Sequence, residues 1–324
     1  MLQNRQDSGC GGGGGANSHF HLRIGSIFII LVGATSGALF PVLAKRSKQI
    51  NLPPYFFEFA KYFGSGVIFA TGFIHLLSPA LDALGSPCLS DAWTAYPYAL
   101  ALAMLSLFSL FVVELVAFRW GTARLARLGI PRECDTTSGH HHVHHEKGDE
   151  EAASTSSSGP DSALAQIISI AILEFGVVLH SVLVGLTLAV NENFIILFVV
   201  LIFHQTFEGL GIGSRLAFLE VDKKHNWVPI AAALLYGLTT PIGIAAGLGV
   251  RSTYNPGTAT ASIVSGTMDS ISAGILIYTS LVELMAHDFL FNKEMLAASN
   301  GRLVFALGSM MLGAALMALL GKWA

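Results

Sequence analysis

The sequence predicts an all-α membrane protein: eight transmembrane helices in a bundle, with both ends of the chain outside. Three observations predict it. The 324 residues are 52% hydrophobic and only 12% charged, where a soluble globular chain carries about 25% charge. Eight apolar stretches are each long enough to cross a hydrocarbon layer, which takes roughly 20 helical residues. Lys and Arg gather in alternate loops, the pattern that orients a polytopic chain.

The elements follow in order. Residues 1–23 are polar and Gly-rich, from Gly11 to Gly15, and are expected to form a disordered extracellular tail. Helices 1–3 are predicted over 24–44, 55–77 and 96–118. Helices 4–8 are predicted over 163–190, 194–217, 227–250, 263–285 and 303–320. The fourth is long enough to tilt or to continue past the lipid. The loops after helices 1, 3, 5 and 7 hold 13 Lys and Arg, against Arg5, Arg23, Arg251 and Lys322 on the other side. The first set of loops is therefore predicted to be cytoplasmic. Lys61 falls inside helix 2, where Glu58 on the same turn is its expected partner.

The loop over 119–162 is the only long one. It holds His140, His141, His142, His144 and His145, then Glu146, Asp149, Glu150 and Glu151, then a serine run. With no apolar periodicity it is expected to be disordered in the cytoplasm. Such a tract reads either as a weak, multivalent metal binder or as a solvated linker. The net charge of −3 gives no sign of a nucleic-acid partner. Cys10, Cys88 and Cys134 form no CxxC pair, which removes a zinc-finger reading.

The chemistry gathers in helices 4 and 5. His204 and Glu208 are four apart, so a helix places them on one face. His180 lies ten residues before the end of helix 4, and His204 ten residues after the start of helix 5. At 1.5 Å per residue both sit about 15 Å below the outer surface, half of a hydrocarbon core of about 30 Å. An ionisable residue at that depth marks a transport or catalytic path by default. Two imidazoles and a carboxylate suit a divalent transition metal, zinc first. Ser181 and Gln205 adjoin the histidines and offer neutral oxygens. His75 and Asp82, near the outer end of helix 2, read as an entrance. Glu174, six residues from His180 toward the cytoplasm, and Glu283, near the inner end of helix 7, read as an exit path. Asp269 also lies in helix 7, with His287 just past it, and Glu114 near the inner end of helix 3 is expected to snorkel.

These segments resemble a known family. Glu174 to Gly185, containing His180-Ser181, and His204-Gln-Thr-Phe-Glu208-Gly209 look like the paired signatures of ZIP (Zrt/Irt-like) metal transporters. Ala70-Thr-Gly-Phe-Ile-His75-Leu-Leu and Ser272 to Glu283 resemble the family's helix 2 and helix 7 motifs. The wording of residues 75–120 is similar to fungal plasma-membrane zinc-uptake members. The resemblance implies inverted repeats, a homodimer, an elevator-like motion, and import of Zn²⁺ into the cytosol across the plasma membrane. It also implies His180, His204 and Glu208 as core ligands. Fe²⁺, Mn²⁺ and Cd²⁺ are the alternative substrates. Val184 stands where two-metal members carry an acid, so one principal metal is expected. Two rival classes remain: a membrane-embedded metallo-enzyme, against which stands the lack of an HExxH run, and a metal sensor built on the His-rich loop.

Overall fold

The computed structural model of the chain describes residues 18–47, 52–127, 160–219, 223–251 and 258–323. Among these residues there is no strand, and eight helices are long and apolar enough to cross a membrane. They are α1 (Phe20–Arg46), α2 (Pro54–Leu84), α3 (Tyr98–Arg127) and α4 (Pro160–Val190). α5 (Phe194–Ala217), α6 (Val228–Val250), α7 (Ala259–Leu290) and α8 (Asn300–Leu320) complete the set. Large apolar side chains such as Phe28, Val32, Leu105, Phe108, Val304 and Met311 face outward. In a multi-pass membrane protein that apolar surface is the lipid contact. The Gly-rich tail over 1–17 and the whole His tract lie outside the described residues.

The helices pack as two groups of four. In one, α1 lies against α5 and α6, and α4 against α6. In the other, α2 lies against α8 and α7, and α3 against α7. Contacts of α2 with α5 and of α4 with α7 join the groups. Lipid supplies no hydrophobic force between helices, so close backbone approach carries the packing. A Cβ on Gly64 of α2 would stand 2.1 Å from the Gly211 Cα of α5. No other residue fits that crossing, which seats the site-bearing α5 against the second group.

Several ends differ from the sequence expectation, each for a physical reason. α1 begins at Phe20, so Arg23 is a fully buried helix residue rather than part of a tail. Its guanidinium donates to the carbonyls of Leu188, Ala189 and Asn191 at 2.8–3.0 Å. Those are the carbonyls that the end of α4 leaves unpaired. α2 continues to Leu84, although Pro79 suggests a stop near Leu77. Residues Thr71–Leu77 form a wide π-type turn in which the Ser78 N–H reaches back to the Phe73 carbonyl. Widening the ladder just before Pro79 accommodates its missing donor. α7 continues to Leu290 through a second π-type segment, Thr279–Leu290, because Asp288 is neutralised there.

That neutralisation forms a charged cluster at the end of the bundle shared by the α1–α2 turn and the end of α5. Lys61 Nζ lies 2.7 Å from Asp288 Oδ1, and Arg215 2.8 Å from Asp288 Oδ2. Arg215 also donates to Ser65 Oγ at 2.6 Å. Lys61 therefore pairs across helices rather than with Glu58, which receives Arg302 of α8 instead.

Candidate metal site

α4 and α5 are an antiparallel pair joined by residues 191–193. His180 lies ten residues from the joined end of α4 and His204 ten residues from that of α5, so the two share a depth of about 15 Å. The structure brings them together: their ring centroids are 5.5 Å apart at 38°. His204 Nε2 lies 3.8 Å from Glu208 Oε2, one helical turn on. His180, Ser181, His204, Gln205 and Glu208 are all buried, none more than 1% exposed.

His75 joins them rather than standing apart at a surface. Because α2 runs on to Leu84, His75 is nine residues inside its end. Its ring meets His204 edge-on, with centroids 4.7 Å apart. His75 Nε2 lies 2.9 Å from the Met317 carbonyl; a carbonyl only accepts, so that nitrogen carries the proton and Nδ1 is the free acceptor. Asp82, on the last turn of α2, is exposed and separate from the cluster.

The decisive property is the state of the polar atoms. Buried side-chain donors and acceptors nearly always have a partner. Here both ring nitrogens of His180 and of His204, Ser181 Oγ, Gln205 Nε2 and Glu208 Oε1 have none within the protein. Around them the structure is held in place. Tyr236 of α6 is fully buried, and its hydroxyl donates to the Gln205 carbonyl at 2.7 Å. Gln205 Oε1 at 3.0 Å and Glu208 Oε2 at 3.5 Å stand around the same hydroxyl. Among the described residues no three His, Cys, Asp or Glu side chains form a ready-made metal-holding group. The polar groups meet in pairs, His204 with Glu208 and His180 with Asp269.

Of the other expected residues, Glu174 is half-buried on α4 with Oε1 unpartnered. Glu283 is half-buried and lines a small cleft with Glu114, Tyr278 and Thr279. Glu114 does not snorkel freely: it accepts the Tyr278 hydroxyl. His140, His141, His142, His144 and His145 lie outside the described residues. Three features went unassigned from sequence. Tyr236 is a lone tyrosine in an apolar run, and only its reach to Gln205 marks it. Asp269 Oδ1 lies 4.0 Å from His180 Nδ1. The Lys61–Asp288–Arg215 cluster joins residues more than 200 positions apart, beyond any local signal.

The family model described as "ZIP Zinc transporter" matches residues 20–321. The chain belongs to the ZIP family. It is therefore a membrane transporter of metal ions rather than an enzyme. It is 40% identical to Zinc-regulated transporter 1 of Saccharomyces cerevisiae, over 97% of this chain and 90% of that protein. It is also 40% identical to Zinc-regulated transporter 1 of Schizosaccharomyces pombe, over 96% of this chain and 88% of that protein. Zinc transporter 3 of Arabidopsis thaliana is 35% identical, over 93% and 84%.

Proposed function

We propose that this ZIP-family chain imports Zn²⁺ across the plasma membrane into the cytosol through His180, His204 and Glu208. Ser181 and Gln205 lend transient oxygens. The observation that carries the reading is the set of unpartnered polar atoms: four imidazole nitrogens and a carboxylate oxygen, all buried without a hydrogen-bond partner. Leaving such groups buried costs several kcal/mol in total. A bound cation is what would recover that cost. The relatives' names point to zinc, and borderline nitrogen and oxygen donors without thiolate fit a zinc ion that must be released again.

The Lys and Arg asymmetry sets the direction, with the α4–α5 turn outside and the Arg215–Asp288 end inside. Asp82 then stands at the outer mouth, and His75 hands the ion to His204. Glu174 and Glu283 lie on the inner side of the site as exit carboxylates. The test is radiolabelled Zn²⁺ uptake into proteoliposomes holding the wild type, His180→Ala or Glu208→Ala. Uptake should fall to the protein-free level in both variants. Equal uptake in all three would refute the site. Competition by Fe²⁺, Mn²⁺ and Cd²⁺ in the same vesicles ranks the metals.

A further inference from the structure

We propose that Asp269 of α7 is a ligand of the same transported ion, supplied by the helix group that carries neither His180 nor His204. The inference rests on the His180/His204/Glu208 reading. Its first support is depth. Asp269 lies ten residues from Ala259 at the start of α7, as His180 lies ten from Val190 and His204 ten from Phe194. All three are about 15 Å from the same end of the bundle. Its second support is the partner it faces. Asp269 Oδ1 is 4.0 Å from His180 Nδ1, too far for a hydrogen bond, and both His180 nitrogens are buried without a partner. The Asp269 side chain is 15% exposed and the His180 side chain 2%.

The distances fit an ion better than they fit direct contact. Two donors on one tetrahedral zinc, each at about 2.0–2.1 Å, stand about 3.3 Å from one another. The His180–Asp269 pair at 4.0 Å and the His204–Glu208 pair at 3.8 Å both sit slightly outside that separation. Contraction within each pair, together with closer approach of the two pairs across the 5.5 Å between the His180 and His204 rings, would give two nitrogens and two oxygens. His180, His204 and Glu208 lie on α4 and α5 of one helix group, whereas Asp269 comes from the other. Asp269 is thus the one ligand of the four whose distance from the ion depends on how the groups stand. Its engagement would favour capture, and its withdrawal would favour release.

The test is zinc uptake into proteoliposomes by Asp269→Asn, Asp269→Glu and Asp269→Cys, beside His180→Ala and Glu208→Ala, with zinc affinity of the purified full-length protein measured by equilibrium dialysis. Loss of one ligand should raise the zinc KM and Kd about tenfold in Asp269→Asn, and Asp269→Glu should recover much of it. A thiolate at the metal favours softer cations, so Asp269→Cys should raise cadmium-over-zinc preference at least about threefold. That ratio is read within one preparation, so poor folding cannot mimic it. Unchanged zinc KM and Kd in Asp269→Asn and unchanged metal preference in Asp269→Cys, with uptake lost in His180→Ala and Glu208→Ala, would overturn the role of Asp269 and leave the site reading standing. Normal uptake in His180→Ala and Glu208→Ala would overturn both.

Discussion

Two buried polar clusters lie seven residues apart along α5, about 10 Å, and they follow opposite rules. Around His204 and Glu208 most of the polar side-chain atoms have no hydrogen-bond partner. Around Arg215 the charges are closed: Lys61 and Arg215 share Asp288, and Ser65 takes a remaining Arg215 proton. One lies near the middle of the bundle and the other at its end, where Asp288 is still only 6% exposed. On the function proposed above, ion pairing rather than burial separates the transport site from the charged cluster. On that reading the first cluster takes a cation, whereas the ion-paired one ties α2, α5 and α7 together.

The contrast breaks most sharply at Glu208. Glu208→Gln keeps the shape and one carbonyl oxygen but removes the charge that a divalent ion needs. Zinc uptake should fall at least about 100-fold, in line with loss of a ligand and its charge at a dry site. The melting temperature in detergent should stay near wild type, because no donor in the protein depends on that carboxylate for an ion pair. A drop in stability with uptake intact would place Glu208 among the structural groups.

Asp288 should behave in the reverse way. Asp288→Ala leaves Lys61 and Arg215 as partly buried cations without a counter-charge, a change that should cost at most the lower end of the about 3–5 kcal/mol for breaking a buried pair. Thermal unfolding in detergent measures it. Replacing Lys61, Arg215 and Asp288 together by apolar residues should recover most of that loss, since the closed network is not itself a large source of stability. If Asp288→Ala unfolds like the wild type, the cluster is not closed in the way its geometry indicates.

The two clusters were also unequally legible in the sequence. His180, His204 and Glu208 could be read because their signal is local: a four-residue spacing, and equal counts from a three-residue turn. The charged cluster could not, because Lys61 and Asp288 are 227 positions apart and only the packing of α2 on α7 joins them. Lys61 was accordingly matched to its sequence neighbour Glu58, which pairs with Arg302 instead. Helix ends caused the remaining misreadings. Stopping helix 2 before Pro79 put His75 near a surface, where the π-type turn keeps it beside His204. Starting helix 7 at residue 263 put Asp269 six residues deep; the true start at Ala259 makes it ten and level with the histidines.

A smaller effect separates the site's polar chemistry from the packing that frames it. A Cβ on Gly243 of α6 would stand 2.3 Å from the Val182 carbonyl of α4, one residue from Ser181. Gly243→Ala must spread α4 from α6, at about 1–3 kcal/mol. Gly249 on the same helix has nothing within 4 Å. Gly249→Ala should be neutral or stabilising by up to about 1 kcal/mol through helix propensity alone. Melting temperatures of the two variants, measured side by side, check the difference. Equal shifts would mean that α4 and α6 do not need their close approach.

The smallest effect is expected from the most histidine-rich segment of the chain. His140, His141, His142, His144 and His145 outnumber the histidines within the bundle site, yet the sequence around them lacks the apolar periodicity that would hold them in fixed register. Deleting residues 140–145 should leave the initial rate of zinc uptake into proteoliposomes within about twofold of wild type if, as proposed, His180, His204 and Glu208 carry the ion. Zinc retained by the purified protein at high metal should fall, since those imidazoles are gone. A collapse of uptake on deletion would reverse the comparison, making the His-rich segment rather than the buried, partnerless histidines the limiting site.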